Sequence, residues 1–343
     1  MPLTRHPDAF RRRRDGTPRR RLYLRALAVA VFAAALVAIG FLFFPSGGGR
    51  GNPASWPSYE WPLKPFDKPH PIRGNFDDPR MPNHHINGPG PFSFHAGIDI
   101  SAAGGTAVYA VAPGTVYVPG VAEAYLHGHP VALGVRGKGV RFEYWHIRPA
   151  IESGRRVATH QLLGYVITKW GHVHLTEMWG GKPVNPLRAG GLTPYVDHTK
   201  PTIVSAKLYQ NGTYIPLPAT LSGRADLVLE AYDKPELTPN WPSAVVTPAL
   251  IRWRLIGEAT GKVVVPTQTT VDFRLYRPKA SLADVFAPGT RQNGPKRGGV
   301  YNFWLVRGLD SSRLPNGSYK LVVLASDTKR NTARKAFELT VEN

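Results

Sequence analysis

Beyond residue 66 the chain is built from short runs in which apolar residues alternate with polar ones or stand together, and Gly or Pro interrupts nearly every run. This period of two predicts strands, since successive side chains of a strand point to opposite faces. Candidate strands in the first stretch are 107–111, 114–118, 131–135, 140–146, 162–167 and 172–178. The last of these, beginning His172-Val173-His174-Leu175, puts two histidines on one face and Val173 and Leu175 on the other. A second stretch carries runs at 203–209, 225–232, 250–256, 263–273, 301–306, 319–326 and 336–341. Turn signals such as Asn316-Gly317 lie between them. The pattern predicts an all-β protein: a β-rich domain over 66–195, then an antiparallel β-sandwich over 196–343. The second unit reads as a binding or spacer module.

One run breaks the rule. Residues 26–44 are uninterruptedly apolar, and as a helix they span roughly 28 Å, near the thickness of a bilayer's hydrocarbon core. Residues 1–25 ahead of them carry nine arginines against Asp8 and Asp15. No small-residue cleavage site follows the run, which ends Phe43-Phe44-Pro45. The expectation is one transmembrane helix at 26–44, a cytoplasmic basic segment at 1–25 and everything later outside, at a bacterial cell membrane. Residues 45–65, rich in Gly and then Pro, read as a linker.

Composition narrows the chemistry. The chain has no cysteine, so any metal must be held by His, Asp or Glu. The net charge of +20 is concentrated in part in the basic N-terminus. No basic stripe with interleaved aromatics is present, and an exported domain does not meet nucleic acid, so a polyanionic wall or membrane surface suits the excess better. The sequence assigns no oligomeric state.

Within 66–195 the residues that carry chemistry are His95 and Asp99 in His95-Ala-Gly-Ile-Asp99, His146 in Tyr144-Trp-His146, and His172 and His174. His95 and Asp99 are four apart, so an extended backbone sets both on one face, and Gly97 between them lets the chain pass close to a neighbour. Four imidazoles and one carboxylate are enough to hold a zinc ion by three ligands and to supply a proton shuttle beside it. Spacing alone leaves open which of His172 and His174 binds metal. The pairs His84-His85 and His127-Gly-His129 lack strand alternation or a completing neighbour and read as loop residues.

These segments, in this order and followed by Gly181-Lys-Pro-Val-Asn-Pro-Leu187, resemble the lysostaphin-type (LytM-like) zinc metallopeptidases that cut peptidoglycan peptides. The resemblance spans roughly residues 70–188 and includes the runs starting at Gly105 and Gly154. It implies a compact, groove-forming antiparallel sheet, with the C-terminal unit an immunoglobulin-like sandwich. It also implies His95, Asp99 and His174 as ligands of Zn2+, and His172 and His146 as catalytic histidines acting with a metal-activated water. The reading that follows is a membrane-anchored zinc endopeptidase of peptidoglycan stem peptides or cross-bridges. The alternative is a catalytically silent relative that binds peptidoglycan or regulates another hydrolase. The loop before His172, Thr168-Lys-Trp-Gly171, is short for the family, and residues 66–92 stand where they could occlude the metal.

Overall fold

A computed structural model describes residues 57–81, 93–118, 129–135, 139–239, 241 and 243–343. The basic segment 1–25, the apolar run 26–44, and the histidines at 84, 85 and 127 lie outside the described residues. Among the described residues no helix is long and apolar enough to cross a membrane.

The His-x-His run forms β11 (His172–Trp179), and it lies inside the larger sheet. Strands preceding it are β1 (Ile72–Gly74), β2 (Pro79–Arg80), β3 (Ser93–Phe94), β4 (Ile98–Ser101), β5 (Ala107–Tyr109), β6 (Gly114–Tyr117), β7 (His129–Val135), β8 (Val140–Pro149), β9 (Arg156–Val157) and β10 (Leu162–Val166), and β12 (Lys182–Val184) follows. They build a ten-stranded antiparallel sheet in the order β1-β4-β11-β8-β7-β6-β9, with β10 on β5 and β8, and β12 on β11. β2 and β3 pair separately. β11 is thus flanked by β4 and β8, so three strands bring distant segments to one place.

The apolar core of this unit gathers Ile98, Ile100, Val108, Leu133, Phe142, Tyr144, Leu163, Val173 and Leu175. It also takes in Tyr59, Trp61 and Leu63. These three residues, expected in a linker, are fully packed instead. The Trp61 indole donates to the Pro194 carbonyl at 2.6 Å. Tyr59 donates to Glu177 at 2.7 Å, in a buried network with Arg188. Burial of an indole of this size is a large hydrophobic contribution, which a flexible tether would forgo.

The C-terminal residues form two further sheets around one core. One runs β14-β13-β16-β19, from β13 (Thr202–Gln210), β14 (Thr213–Pro216), β16 (Arg224–Tyr232) and β19 (Asn302–Asp310). The other runs β15-β21-β20-β17-β18, from β15 (Ala219–Leu221), β17 (Leu250–Gly257), β18 (Val263–Asp272), β20 (Gly317–Ser326) and β21 (Thr332–Val341). All pairs are antiparallel except β15 with β21. Leu227 and Leu229 of one sheet and Ile251, Trp253, Leu321 and Val323 of the other share the core. Phe76, Met81 and Phe94, from the segment just ahead of the candidate site, join this core and not the first one.

Candidate metal and catalytic site

His174 stands opposite Asp99 across the β11–β4 ladder and opposite Trp145 across the β11–β8 ladder. Strand alternation carries His172 to the same face. His95 lies just before β4. The expected continuous strand from His95 to Asp99 is broken at 95–97, and Gly97 lets the chain pass close against β11. A Cβ there would sit 2.1 Å from the Leu175 carbonyl oxygen.

His95 is held from both sides. Its backbone N–H donates to the Asp78 carbonyl and its carbonyl accepts from Asp77, each at 2.9 Å. Its Nδ1–H donates to the Asn75 carbonyl at 2.7 Å, which leaves Nε2 as the free lone pair. That Nε2 lies 3.0 Å from Asp99 Oδ1 and 2.7 Å from His174 Nδ1. His174 Nδ1 is 3.1 Å from the same Oδ1, while its Nε2 meets the Thr176 hydroxyl at 2.7 Å. Three donor atoms therefore face one point. Zinc with bonds of about 2.0–2.1 Å in a tetrahedral shell needs donors about 3.3 Å apart. The triangle fits after an outward movement of a few tenths of an ångström, and two imidazoles with one carboxylate is a zinc-type donor set.

Burial, then the Arg80 charge, lowers the His95 pKa to about 3 against the pull of Asp99. Burial alone would raise the Asp99 carboxyl, but His95, Arg80 and His172 beside it hold it well below the usual carboxylate range. At neutral pH His95 is therefore neutral and Asp99 ionised.

The other two histidines stand alongside. His172 Nδ1–H donates to the Trp170 carbonyl at 2.8 Å, and its Nε2 is 3.5 Å from Asp99 Oδ1. Burial is the main cause that lowers its pKa. The His146 ring lies 4.5 Å from that of His172 and stacks on Trp170 at 4.4 Å. It reaches this place through a bulge: Val131 pairs with Tyr144 but His129 pairs with Ile147, so β8 carries an extra residue there. His146 takes φ of 64°, a left-handed conformation that a histidine holds only when its surroundings impose it. The structure thus brings all five sequence-selected residues together.

Sequence reasoning missed two arginines. Arg80 Nη2 donates to Asp99 Oδ2 at 2.7 Å. Arg73 donates to the Trp170 carbonyl at 3.1 Å, the same oxygen that His172 uses. A second acidic group, Asp197, Asp233 and Asp327, has carboxylate oxygens within 4.8 Å of one another. Tyr195, Thr199 and Asn331 donate to two of them. Burial, with repulsion from the other two, raises the Asp233 carboxyl well above the usual range.

The geometry defines a His–Asp–His metal-type site beside a histidine pair on an antiparallel sheet. Residues 93–186 match the family model described as Peptidase family M23, and that match shows the likeness read from the motifs. Among solved structures the chain is similar to a zinc-containing peptidase from Vibrio cholerae, at 20% identity and a TM-score of 0.30, covering 37% of this chain and 39% of that one. It is similar to the catalytic domain of the prophage-encoded M23 protein EnpA from Enterococcus faecalis, at 27% identity and a TM-score of 0.29, covering 38% and 98%. It is also similar to a structure of the SpoIIQ–SpoIIIAH pore-forming complex, at 19% identity and a TM-score of 0.31, covering 39% and 90%. No curated protein matches the chain.

Proposed function

We propose that this protein is a zinc-dependent endopeptidase that hydrolyses peptide bonds of peptidoglycan, held at the outer face of a bacterial membrane by residues 26–44. The observation that carries the reading is the convergence of His95 Nε2, Asp99 Oδ1 and His174 Nδ1 within 3.1 Å, with His172 and His146 beside them. The match to Peptidase family M23 supports the same reading.

His95, Asp99 and His174 would hold the metal. When bound, zinc acidifies a water and polarises the scissile carbonyl. His172 is neutral and its Nδ1–H is committed to Trp170, so its Nε2 is the acceptor for the proton of the attacking water. His146, whose ring lies 4.5 Å from that of His172 and 6.4 Å from that of His174, would donate to the departing amine or to the carbonyl oxygen as negative charge grows there. Stacking on Trp170 fixes its ring plane for that task. The C-terminal sheet pair is read as immunoglobulin-like.

The alternative is a catalytically silent relative that binds peptidoglycan or regulates another hydrolase. Digestion of purified peptidoglycan by the zinc-loaded chain, beside His172→Ala, separates the two. New peptide termini that vanish in the variant support the endopeptidase. An intact wall with both proteins, despite bound zinc, rejects it in favour of a wall-binding or regulatory role.

A further inference from the structure

The segment that runs from β1 through β2 is shared between the two halves of the protein. On its inner side it carries Arg73 and Arg80 to the candidate site. On its outer side it is held by loops of the C-terminal unit, between β16 and β17 and between β18 and β19. Asp78 is buried, and its Oδ1 accepts from both the backbone N–H and the hydroxyl of Thr247, at 2.8 and 2.7 Å. Its Oδ2 accepts from the Asn75 N–H at 2.8 Å and lies 3.9 Å from Arg80. Asp77 pairs with Arg277 at 2.9 Å, and Arg277 also donates to the Phe94 carbonyl. Asn293 donates to the Arg73 carbonyl at 2.9 Å, and Trp241 lies face-on to the Arg73 guanidinium at 4.2 Å. Gln292 accepts from the Met81 N–H at 2.9 Å.

We propose that the C-terminal unit, through loop residues Trp241, Thr247, Arg277 and Asn293, is a positioning partner of the metal centre: it clamps residues 72–81 so that Arg80 occupies Asp99 Oδ2 and turns Oδ1 toward His95 and His174. The inference rests on the reading above that these residues hold zinc. A carboxylate has two equivalent oxygens, and rotation exchanges them. A charge-assisted bond at one oxygen ends that equivalence and fixes Asp99 as a one-oxygen ligand. The space is closed around the bond: a Cβ on Gly74 would meet Arg80 Nη2 at 2.6 Å and Asp99 Oδ2 at 2.8 Å. Arg80 is in turn placed by Asp78, and Asp78 by Thr247 of the C-terminal unit. A parallel route runs from Asn293 and Trp241 through Arg73 to the Trp170 carbonyl, and so to His172. Arg73 and Arg80 are positioning residues here, since they act through Trp170 and Asp99.

The test is the zinc dissociation constant of the full chain by chelator competition, with the visible spectrum of the cobalt-loaded protein as a reading of coordination. Arg80→Gln is expected to weaken zinc binding about 10–100-fold and to alter the cobalt spectrum. Arg80→Lys should restore part of the loss. Thr247→Val, on the C-terminal unit and away from the metal, should weaken zinc in the same direction. Gly74→Ala should do so as well, since its Cβ crowds the contact of Arg80 Nη2 with Asp99 Oδ2 while leaving the arginine charge in place, should Arg80→Gln fold poorly. Lys320→Ala, on the exposed face of β20, should behave as wild type. Wild-type zinc affinity and cobalt spectra in folded Arg80→Gln, Gly74→Ala and Thr247→Val would overturn the proposal. Failure of the wild-type chain itself to bind zinc would instead overturn the reading of the site on which it rests.

Discussion

Replacing Gly97 by alanine probes whether the close approach of β4 and β11 builds the site. The added Cβ would lie 2.1 Å from the Leu175 carbonyl oxygen, 2.7 Å from its carbon and 2.9 Å from the Thr176 Cα. Real Cβ atoms essentially never come under 3.0 Å, and the obstacle is backbone, which cannot swing aside as a side chain does. The strands must therefore separate locally by about 1 Å in a region packed at crystal-like density. Overpacking of this kind costs about 1–3 kcal/mol, and a stretched ladder hydrogen bond adds about 1 kcal/mol. At about 2–4 °C per kcal/mol, the Tm should fall by roughly 4–16 °C. The same movement widens the 3.1 Å gap between Asp99 Oδ1 and His174 Nδ1 beyond what a tetrahedral ion spans. Thermal melts and zinc competition on Gly97→Ala read both effects. A Tm within about 1 °C of wild type with unchanged zinc affinity would refute the reasoning.

Three other outcomes are expected. His172→Ala should lower peptide cleavage by about 10²–10⁴-fold while zinc binding persists, as measured by fragment release and chelator competition on one preparation. Arg188→Leu strands the buried Glu177 carboxylate and should lower stability by about 3–5 kcal/mol in urea melts. Asp77, which burial raises to about 7 from 3.8, gives a pH dependence. Its contribution is present below the unfolded value and is lost as pH rises through the folded one. Asp77→Asn should therefore gain stability relative to wild type as pH rises from about 4 to about 7, by up to about 1.4 kcal/mol for each pH step of one. A stability difference between the two proteins that stays constant across that range in urea melts would contradict this.

The longer strands were legible from their apolar runs, whereas the short β1, β2, β3, β9, β12, β14 and β15 carried too few residues to show a period. Val173 and Leu175 alternate with His172 and His174, and the observed β11 extends the expected run by one residue. The five site residues were legible because strand spacing and motif order place them together. Arg73 and Arg80 left no such mark: their partners Trp170 and Asp99 are 97 and 19 residues away, and neither arginine belongs to a periodic run. The only local sign was Asp77-Asp78 beside Phe76, two carboxylates next to an apolar anchor. Tyr59, Trp61 and Leu63 were misread because proline density suggested a tether, while three large side chains so close together needed a core. The His146 bulge was not read either, although it shifts the buried positions of β8 from Val140, Phe142 and Tyr144 to Ile147.

The clamp on residues 72–81 has a consequence for heredity. Asp77 and Arg277 are 200 residues apart, as neighbours in space that neither half supplies alone. A recombination event that joins this N-terminal half to a foreign C-terminal one must bring its own counterparts of Arg277, Thr247 and Asn293, or leave Asp77 and Asp78 buried without their partners. The two halves are therefore expected to travel through descent as one unit, with changes at position 77 matched by changes at 277.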